Sequence, residues 1–223
     1  MIVVVGSPVG RRTDHGIEAG GVAATVARVA AAAGSDVQLV GKVGEGVTGD
    51  AVLLALMRAG IGHVAVLRDS SHPTPVAASG EDPDVELEPL ADDGLEPADS
   101  EAAQEPSAAG LPSLDGGDLQ LALSYLPDYR VVVIAEPLDE PALTSVVAAA
   151  RYAGARLIVV VPTGSTGAGL PDDATVLESP PLDPDGAFGA VVGAYAAALD
   201  RGAEPAEAFA SASTDSGWSP VLD

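Results

Sequence analysis

The feature that most constrains the fold of this chain is a series of short, unbroken runs of Val, Ile and Leu. Residues 2–5 form the first run, which Gly6 closes, and similar runs recur later in the chain. Strands of a parallel sheet show such continuous apolar runs because helices cover both of their faces. We therefore predict one mainly parallel central sheet that contains residues 2–5, 37–40, 64–67, 131–135 and 157–161.

Stretches rich in Ala separate these runs, and glycine follows each of them. Residues 21–33 precede Gly34, and residues 140–152 precede Gly154. Such stretches predict helices, because glycine at the end of a helix adopts the left-handed conformation at low cost. Between residues 48 and 57 we predict a further helix that Thr48 caps through its hydroxyl. Strands that alternate with helices indicate an α/β fold with helices on the faces of the sheet.

The length of 223 residues and the apolar content of 47% favour a single domain over residues 1–223. Residues 69–129 contain no Lys or Arg, and residues 81–105 are dense in Asp, Glu, Pro and Ala. This composition predicts an acidic loop or insertion at about residues 80–112. An acidic arm that docks a basic partner is the functional alternative.

The formal net charge of −23 excludes some classes of partner. A strongly acidic protein repels phosphate backbones and anionic lipid, so we expect neither nucleic acid nor membrane as a partner. The chain has no cysteine, which excludes disulfides and thiolate chemistry. No basic segment precedes the short apolar run at residues 2–5, so no signal peptide is expected and a cytoplasmic location is predicted.

Isolated chemical signals are weak. His15, His63 and His72 lack the spacing of metal ligands, and there is no G-x-S-x-G elbow, so we expect no metal site and no serine hydrolase. The glycine-rich residues 163–169 follow a predicted strand and could cradle an anion, with a flexible loop as the alternative. The turn at residues 6–10 resembles a phosphate loop, but Pro8 lacks an N–H donor.

Several short motifs occur together in an order that one family shares. They are GGVAATVA at residues 20–27, GKVGEG at 41–46, GD at 49–50, GI at 60–61 and HPT at 72–74. In order and spacing they resemble the N-terminal half of the PfkB, or ribokinase-like, carbohydrate kinases. Residues 131–136 and 150–155 resemble the central strands and the intervening helix of that family. The resemblance implies a ribokinase-like three-layer sandwich with a reduced lid.

Residues 183–189 fall where the family carries its D-x-x-G-A-G-D signature, which in active members binds the transferring phosphoryl group. Its final Asp accepts the proton of the attacking hydroxyl. Here Gly189 takes that place, so the resemblance implies no catalytic residue. Phe188 replaces a loop glycine, and we expect its ring to crowd the loop. The predicted remnant of the anion hole consists of Asp183, Gly186, Ala187, Phe188 and Gly189.

The residues that bind sugar in the family also differ in this chain. Thr25 stands where the family usually has Asn, and Gly46 where it has Asp. Another Asp of the family falls near Gly10 or Arg11. Loss of these acceptors weakens sugar binding, because buried hydroxyls would stay unpaired. Asp14 or Glu18 could replace one carboxylate. The predicted remnant of the sugar pocket consists of Arg11, Gly20, Gly21, Thr25 and Gly46.

A further difference is the length of the chain between residues 178 and 183. The family inserts several strands and helices there, including an N-x-x-E motif that helps to hold magnesium and a segment that lines the nucleotide base. Only residues 179–182 remain in this chain. The resemblance therefore implies that the nucleotide site and the magnesium site are absent.

Three functions are consistent with these residues. The first is a catalytically inactive PfkB-family protein that acts by ligand binding or protein association and needs no cofactor. The second is a divergent ATP-dependent carbohydrate or nucleoside kinase, which would need ATP and Mg²⁺. The third is a structural partner of another enzyme. Relatives often pair through their lid strands, so we also expect a homo-oligomer, with a dimer as the simplest form.

Overall fold

The computed structural model describes residues 1–77, 112–165, 169–181, 183 and 185–215. The predicted acidic loop at about residues 80–112 lies outside the described residues, except for Pro112. The strands are β1 (Ile2–Val5), β2 (Val9–Thr13), β3 (Gly16–Gly20), β4 (Val37–Gly44), β5 (Gly62–Asp69), β6 (Val76–Ala77), β7 (Val131–Ile134), β8 (Arg156–Pro162) and β9 (Thr175–Ser179). The helices are α1 (Gly21–Ala32), α2 (Val47–Arg58), α3 (Gly116–Ser124), α4 (Glu140–Ala153), α5 (Ala187–Asp200) and α6 (Pro205–Asp215).

The central sheet has six strands in the order β5–β4–β1–β7–β8–β9, and every neighbouring pair is parallel. All five predicted strands belong to it, so the predicted parallel sheet is confirmed. β1 lies in the middle, with Ile2 in register with Val37 on one side and Val131 on the other. Its four residues are fully buried, as expected of a strand covered on both faces.

Helices cover both faces of this sheet and complete the predicted three layers. Residues of α1, α2, α5 and α6 form one core cluster with alternate residues of the strands, such as Ile2 and Val4. Residues of α3 and α4 form the other cluster with the intervening residues, such as Val3 and Val5. Within the described residues, no helix has the length and apolar character needed to cross a bilayer.

The helix ends follow the sequence except at α2. α4 ends at Gly154, which has the left-handed conformation with φ 65°, as predicted. The prediction that Thr48 caps α2 is wrong, because the helix already begins at Val47 and its N-cap is Gly46 with φ 122°. A β carbon at Gly10 of β2 would lie 2.9 Å from the Thr48 methyl group, so Thr48 packs against β2 instead.

The second, smaller sheet corresponds to the predicted reduced lid. It has three strands in the order β3–β2–β6, and β6 contributes only two residues. β2 and β3 are antiparallel, and both pack against α1 and α2. The lid therefore rests on the two helices that begin at the carboxyl edge of the central sheet.

Candidate functional site

The carboxyl ends of β1, β4 and β7 and the start of α5 define the candidate site, because ligands of open α/β sheets bind at this edge. Ser7 and Glu136 follow β1 and β7, which are neighbours in the sheet. The Ser7 amide donates to Glu136 Oε2 at 2.8 Å, and Ser7 Oγ lies 3.4 Å from Oε1. The amide of Lys42 donates to Ser7 Oγ at 3.2 Å, so three strand ends are connected.

Burial perturbs the protonation of Glu136 at this edge. Burial raises its pKa above the ordinary value, and the hydrogen bonds from the amide and hydroxyl of Ser7 oppose that effect without cancelling it. The charged form of Glu136 is therefore less favourable in the folded protein than in the unfolded chain. Its ionisation lowers stability as pH rises from the ordinary Glu pKa through the raised one.

Replacing Glu136 with Gln should raise the melting temperature by a few degrees at pH 8. Gln can still accept the Ser7 amide hydrogen bond, but it carries no charge that burial penalises. The advantage should shrink as the pH falls and disappear below the ordinary Glu pKa, where Glu136 becomes protonated in both states. Thermal unfolding of both proteins from pH 4 to pH 8 measures this difference.

Glu178 provides the matched control for that experiment, because it is an exposed carboxylate near the end of β9. The variant Glu178→Gln should follow the wild-type pH profile. If the melting temperatures of Glu136→Gln and wild type differ by the same amount at every pH, this would contradict the proposed penalty on the charged form.

The residues of the predicted anion-hole remnant lie at the start of α5. The Asp183 carboxylate accepts the amide of Phe188 at 3.1 Å and the amide of Gly189 at 3.3 Å. Gly186 is the N-cap of this helix and has the left-handed conformation with φ 70°. Free amides at a helix start attract anions, but here a carboxylate of the chain already takes two of them.

Thr25 lies directly over Gly186 and Gly189. A β carbon at Gly189 would be 3.0 Å from both Cβ and Cγ2 of Thr25, and one at Gly186 would be 3.4 Å from Cγ2. Two residues that the sequence identifies as altered, Thr25 in the sugar pocket and Gly189 in the catalytic motif, therefore touch each other. Their contact belongs to the close packing of α1 against α5.

The expected effect of Phe188 on the loop is corrected by the structure. Its side chain is buried in the core cluster that α1 and α5 share, rather than lying across the loop. At the second position of a helix, a large apolar side chain gains more from burial than from exposure at the loop. The residue that covers the first turn of α5 is Thr25.

The other predicted pocket residues do not meet at one point. Arg11 and Glu18 face each other across β2 and β3 and form an ion pair at 2.9 Å, so Glu18 is already engaged. A β carbon at Gly20 would lie 2.9 Å from Cβ of Arg11. Gly21 has φ 83°, and a β carbon there would lie 3.3 Å from Val9 of β2. Arg11 and Gly20 belong to the lid strands, Gly21 begins α1, and Gly46 is the N-cap of α2.

Ser7 and Glu136, the hydrogen-bonded pair at the ends of β1 and β7, were not identified as site residues from the sequence. Glu136 directly follows a predicted strand and Ser7 follows another after Gly6. Neighbouring parallel strands bring such positions together, which was the usable signal. Lys42 forms a 2.6 Å ion pair with Asp118 in the first turn of α3, which no sequence pattern indicated.

Among the described residues, no group of three or more His, Asp or Glu side chains is placed to hold a metal ion.

The glycine-rich stretch at residues 163–169 is described only in part. The Thr163 hydroxyl donates to the carbonyl of Ser179, which links the ends of β8 and β9. Residues 166–168 lie outside the described residues, so the predicted anion cradle has no observed geometry.

Several solved structures share this fold at low sequence identity. Arabidopsis thaliana ribokinase, solved with ribose and ATP, is 17% identical with a TM-score of 0.60, over 96% of this chain and 90% of that one. Aminoimidazole riboside kinase from Salmonella enterica is 14% identical with a TM-score of 0.62, over 100% and 94% of the two chains. These likenesses confirm the ribokinase-like fold.

At the level of sequence, no curated protein matches this chain. The sequence profile described as pfkB family carbohydrate kinase matches residues 4–122, which is more than half of the chain. The matched segment includes the end of β1, the lid strands, α1, β4 and α2, where the motifs resembling that family were found. The chain therefore belongs to the pfkB family.

Proposed function

We propose that this pfkB-family protein transfers no phosphate to a sugar and acts in the cytoplasm by ligand binding or protein association. The observation that carries the proposal is the contact between Thr25 and Gly189. It places Cβ and Cγ2 of Thr25 beside Gly189, at the position where active relatives carry their proton acceptor. A hydroxyl nucleophile there would have no base.

The hydrogen bonds of Asp183 support the same proposal. Phosphoryl transfer depends on donors aimed at the charge that develops on the transferring group. The amides of Phe188 and Gly189 instead donate to Asp183, so a phosphoryl group at this helix start would meet a carboxylate. Each oxygen of Asp183 accepts one of these bonds, so both oxygens are turned towards the first turn of α5.

Glu136 favours the second candidate, a divergent ATP-dependent carbohydrate or nucleoside kinase that needs ATP and Mg²⁺. A half-buried carboxylate with a raised pKa at the carboxyl edge of a sheet is typical of groups that exchange protons in enzymes. Glu136 and Ser7 would be the groups nearest to a sugar bound at the ends of β1 and β7. The solved relatives whose names include ribokinase and riboside kinase make sugars and ribosides the substrates to test.

The deciding experiment measures phosphate transfer directly. The purified protein is incubated with ATP, Mg²⁺ and a panel of sugars and ribosides, and ADP and phosphorylated products are quantified. We expect no sugar-dependent ADP formation above the sugar-free control, while an active ribokinase in the same assay reports the sensitivity. A phosphorylated sugar or riboside detected by mass spectrometry would overturn the proposal in favour of the kinase.

A thermal-shift screen with the same sugars and with nucleotides tests the ligand-binding part of the proposal. A ligand that binds only the folded state raises the melting temperature in proportion to the logarithm of its concentration. A shift without turnover supports a binding protein. Co-purification of a stoichiometric enzyme from cells would support the third function, a structural partner.

A further inference from the structure

The outward face of α2 exposes apolar side chains that take no part in the core. Val47 is 86%, Leu54 43% and Met57 55% exposed. They lie on one side of the helix, because residues seven and three apart lie within one face of an α-helix. The opposite side, with Val52 and Leu56, is buried in the core. α2 therefore has a second apolar stripe that no other described element covers.

Charges of opposite sign flank the middle of this stripe. Asp50 precedes Leu54 by four residues, and Arg58 follows it by four, so both lie about one helical turn from Leu54. Asp50 also pairs with Arg68 of β5, and its side chain remains largely exposed. A carboxylate has lone pairs for more than one donor, so Asp50 can accept a second guanidinium.

We propose that this face of α2 is the contact between two copies of the chain, with the two helices antiparallel about a twofold axis at Leu54. In that arrangement Asp50 of each copy lies at the level of Arg58 of its partner, which forms two equivalent ion pairs. Leu54 meets Leu54 at the centre. An isologous contact requires a surface that is complementary to itself, and the order of Asp50, Leu54 and Arg58 has that property.

The net charge of −23 explains why this face suits a second copy. Two such molecules repel each other, and they can approach most easily where the surface is locally balanced. Arg58 and Arg68 offset Asp50 on and beside the face. The site also differs from the lid strands, through which the resemblance implies pairing.

The size of the surface indicates a weak dimer. α2 has 12 residues, so it is about 18 Å long, and one helix pair buries less than a standard interface. Val64 on the edge strand β5, which packs against α2, is a further exposed apolar side chain, at 77%. The proposal supplies a partner for the association named in the proposed function, yet it holds whether or not the protein transfers phosphate.

Sedimentation velocity over a concentration series at about 0.15 M salt tests the proposal. Wild type should show a concentration-dependent dimer, and Leu54→Glu should weaken it at least tenfold. Leu54 is already exposed, so the variant should keep its melting temperature. Leu121→Glu is the matched control, because Leu121 is a similarly exposed leucine on α3, and it should dimerise like wild type.

A charge exchange tests the antiparallel arrangement. Arg58→Glu and Asp50→Lys should each dimerise poorly alone, because like charges face each other in both homodimers. An equimolar mixture should form a heterodimer, since each of its two contacts again joins opposite charges. Arg151→Glu is the control for Arg58→Glu, because Arg151 also lies in the last turn of its helix, α4, and it should not change association.

Three results would overturn the proposal. Wild type could remain monomeric at high micromolar concentration, or its dimer could persist unchanged in Leu54→Glu, which would transfer the interface to another surface such as the lid. The mixture of folded charge variants could also associate no better than either variant alone. None of these results bears on sugar phosphorylation, so the failure of this proposal and that of the proposed function are distinguishable.

Discussion

Gly193→Ala is expected to destabilise the protein by about 1–3 kcal/mol, the usual cost of overpacking a close contact. A β carbon at Gly193 would lie 2.7 Å from the carbonyl oxygen of Val26 and 2.9 Å from Cβ of Val29, both on α1. A backbone carbonyl cannot rotate away as the end of a long side chain can. The two helices would have to move apart, and α1 and α5 would lose part of their shared core.

The sign of this effect is informative, because replacing Gly with Ala stabilises a helix where no neighbouring element is close. Alanine is about 1 kcal/mol better than glycine in a helix interior. Gly117 in α3 provides the control, since a β carbon there would meet only Oδ1 of Asp115, at 3.2 Å. In urea titrations, Gly117→Ala should be neutral or stabilising. Equal stability of Gly193→Ala and wild type would contradict the close packing of α1 on α5.

The central sheet could be predicted from the sequence because its strands contain their own signal. An unbroken run such as Ile2–Val5 favours burial on both faces, and its alternation with helices favours a covered parallel sheet. The sequence of the lid strands contains no such unbroken apolar run. β2 reads VGRRT and β3 reads GIEAG, so neither has an apolar run, and their pairing depends on each other and on the underlying helices.

The candidate site was predicted as a set of replaced residues but not as a geometry. The sequence identified Thr25 and Gly189 separately, 164 positions apart by their numbers, and only the packing of α1 on α5 shows that they touch. Phe188 was interpreted from the role of a loop glycine, whereas burial determines where its ring lies. A motif specifies which residues differ, and the fold determines what the new residues contact.

Gly189→Asp is expected to produce no sugar-dependent ATP turnover and to destabilise the protein by more than Gly193→Ala does. The new β carbon would lie 3.0 Å from Cβ and Cγ2 of Thr25. The new carboxylate would also lie close to that of Asp183, which already binds the Gly189 amide at 3.3 Å. Overpacking costs about 1–3 kcal/mol, and a poorly solvated charge beside a like charge adds to that cost.

A restored carboxylate at this position also supplies too little for catalysis. General-base catalysis contributes about 10²–10⁴-fold, while the position of phosphate, metal and sugar provides much of the remaining rate. The amides of Phe188 and Gly189 would still donate to Asp183, and Gly46 would still offer no side chain to a sugar.

Two variants separate the steric cost of Gly189→Asp from the effect of its charge. Gly189→Ala introduces only the β carbon, so its loss of stability in urea titrations measures the steric part. Thr25→Ala removes Cγ2, and combining it with Gly189→Ala should recover part of that loss, which would give a favourable coupling in a double-mutant cycle. Strict additivity would show that Thr25 and Gly189 do not compete for space. Sugar phosphorylation by Gly189→Asp would show that a single carboxylate is all that the fold lacks.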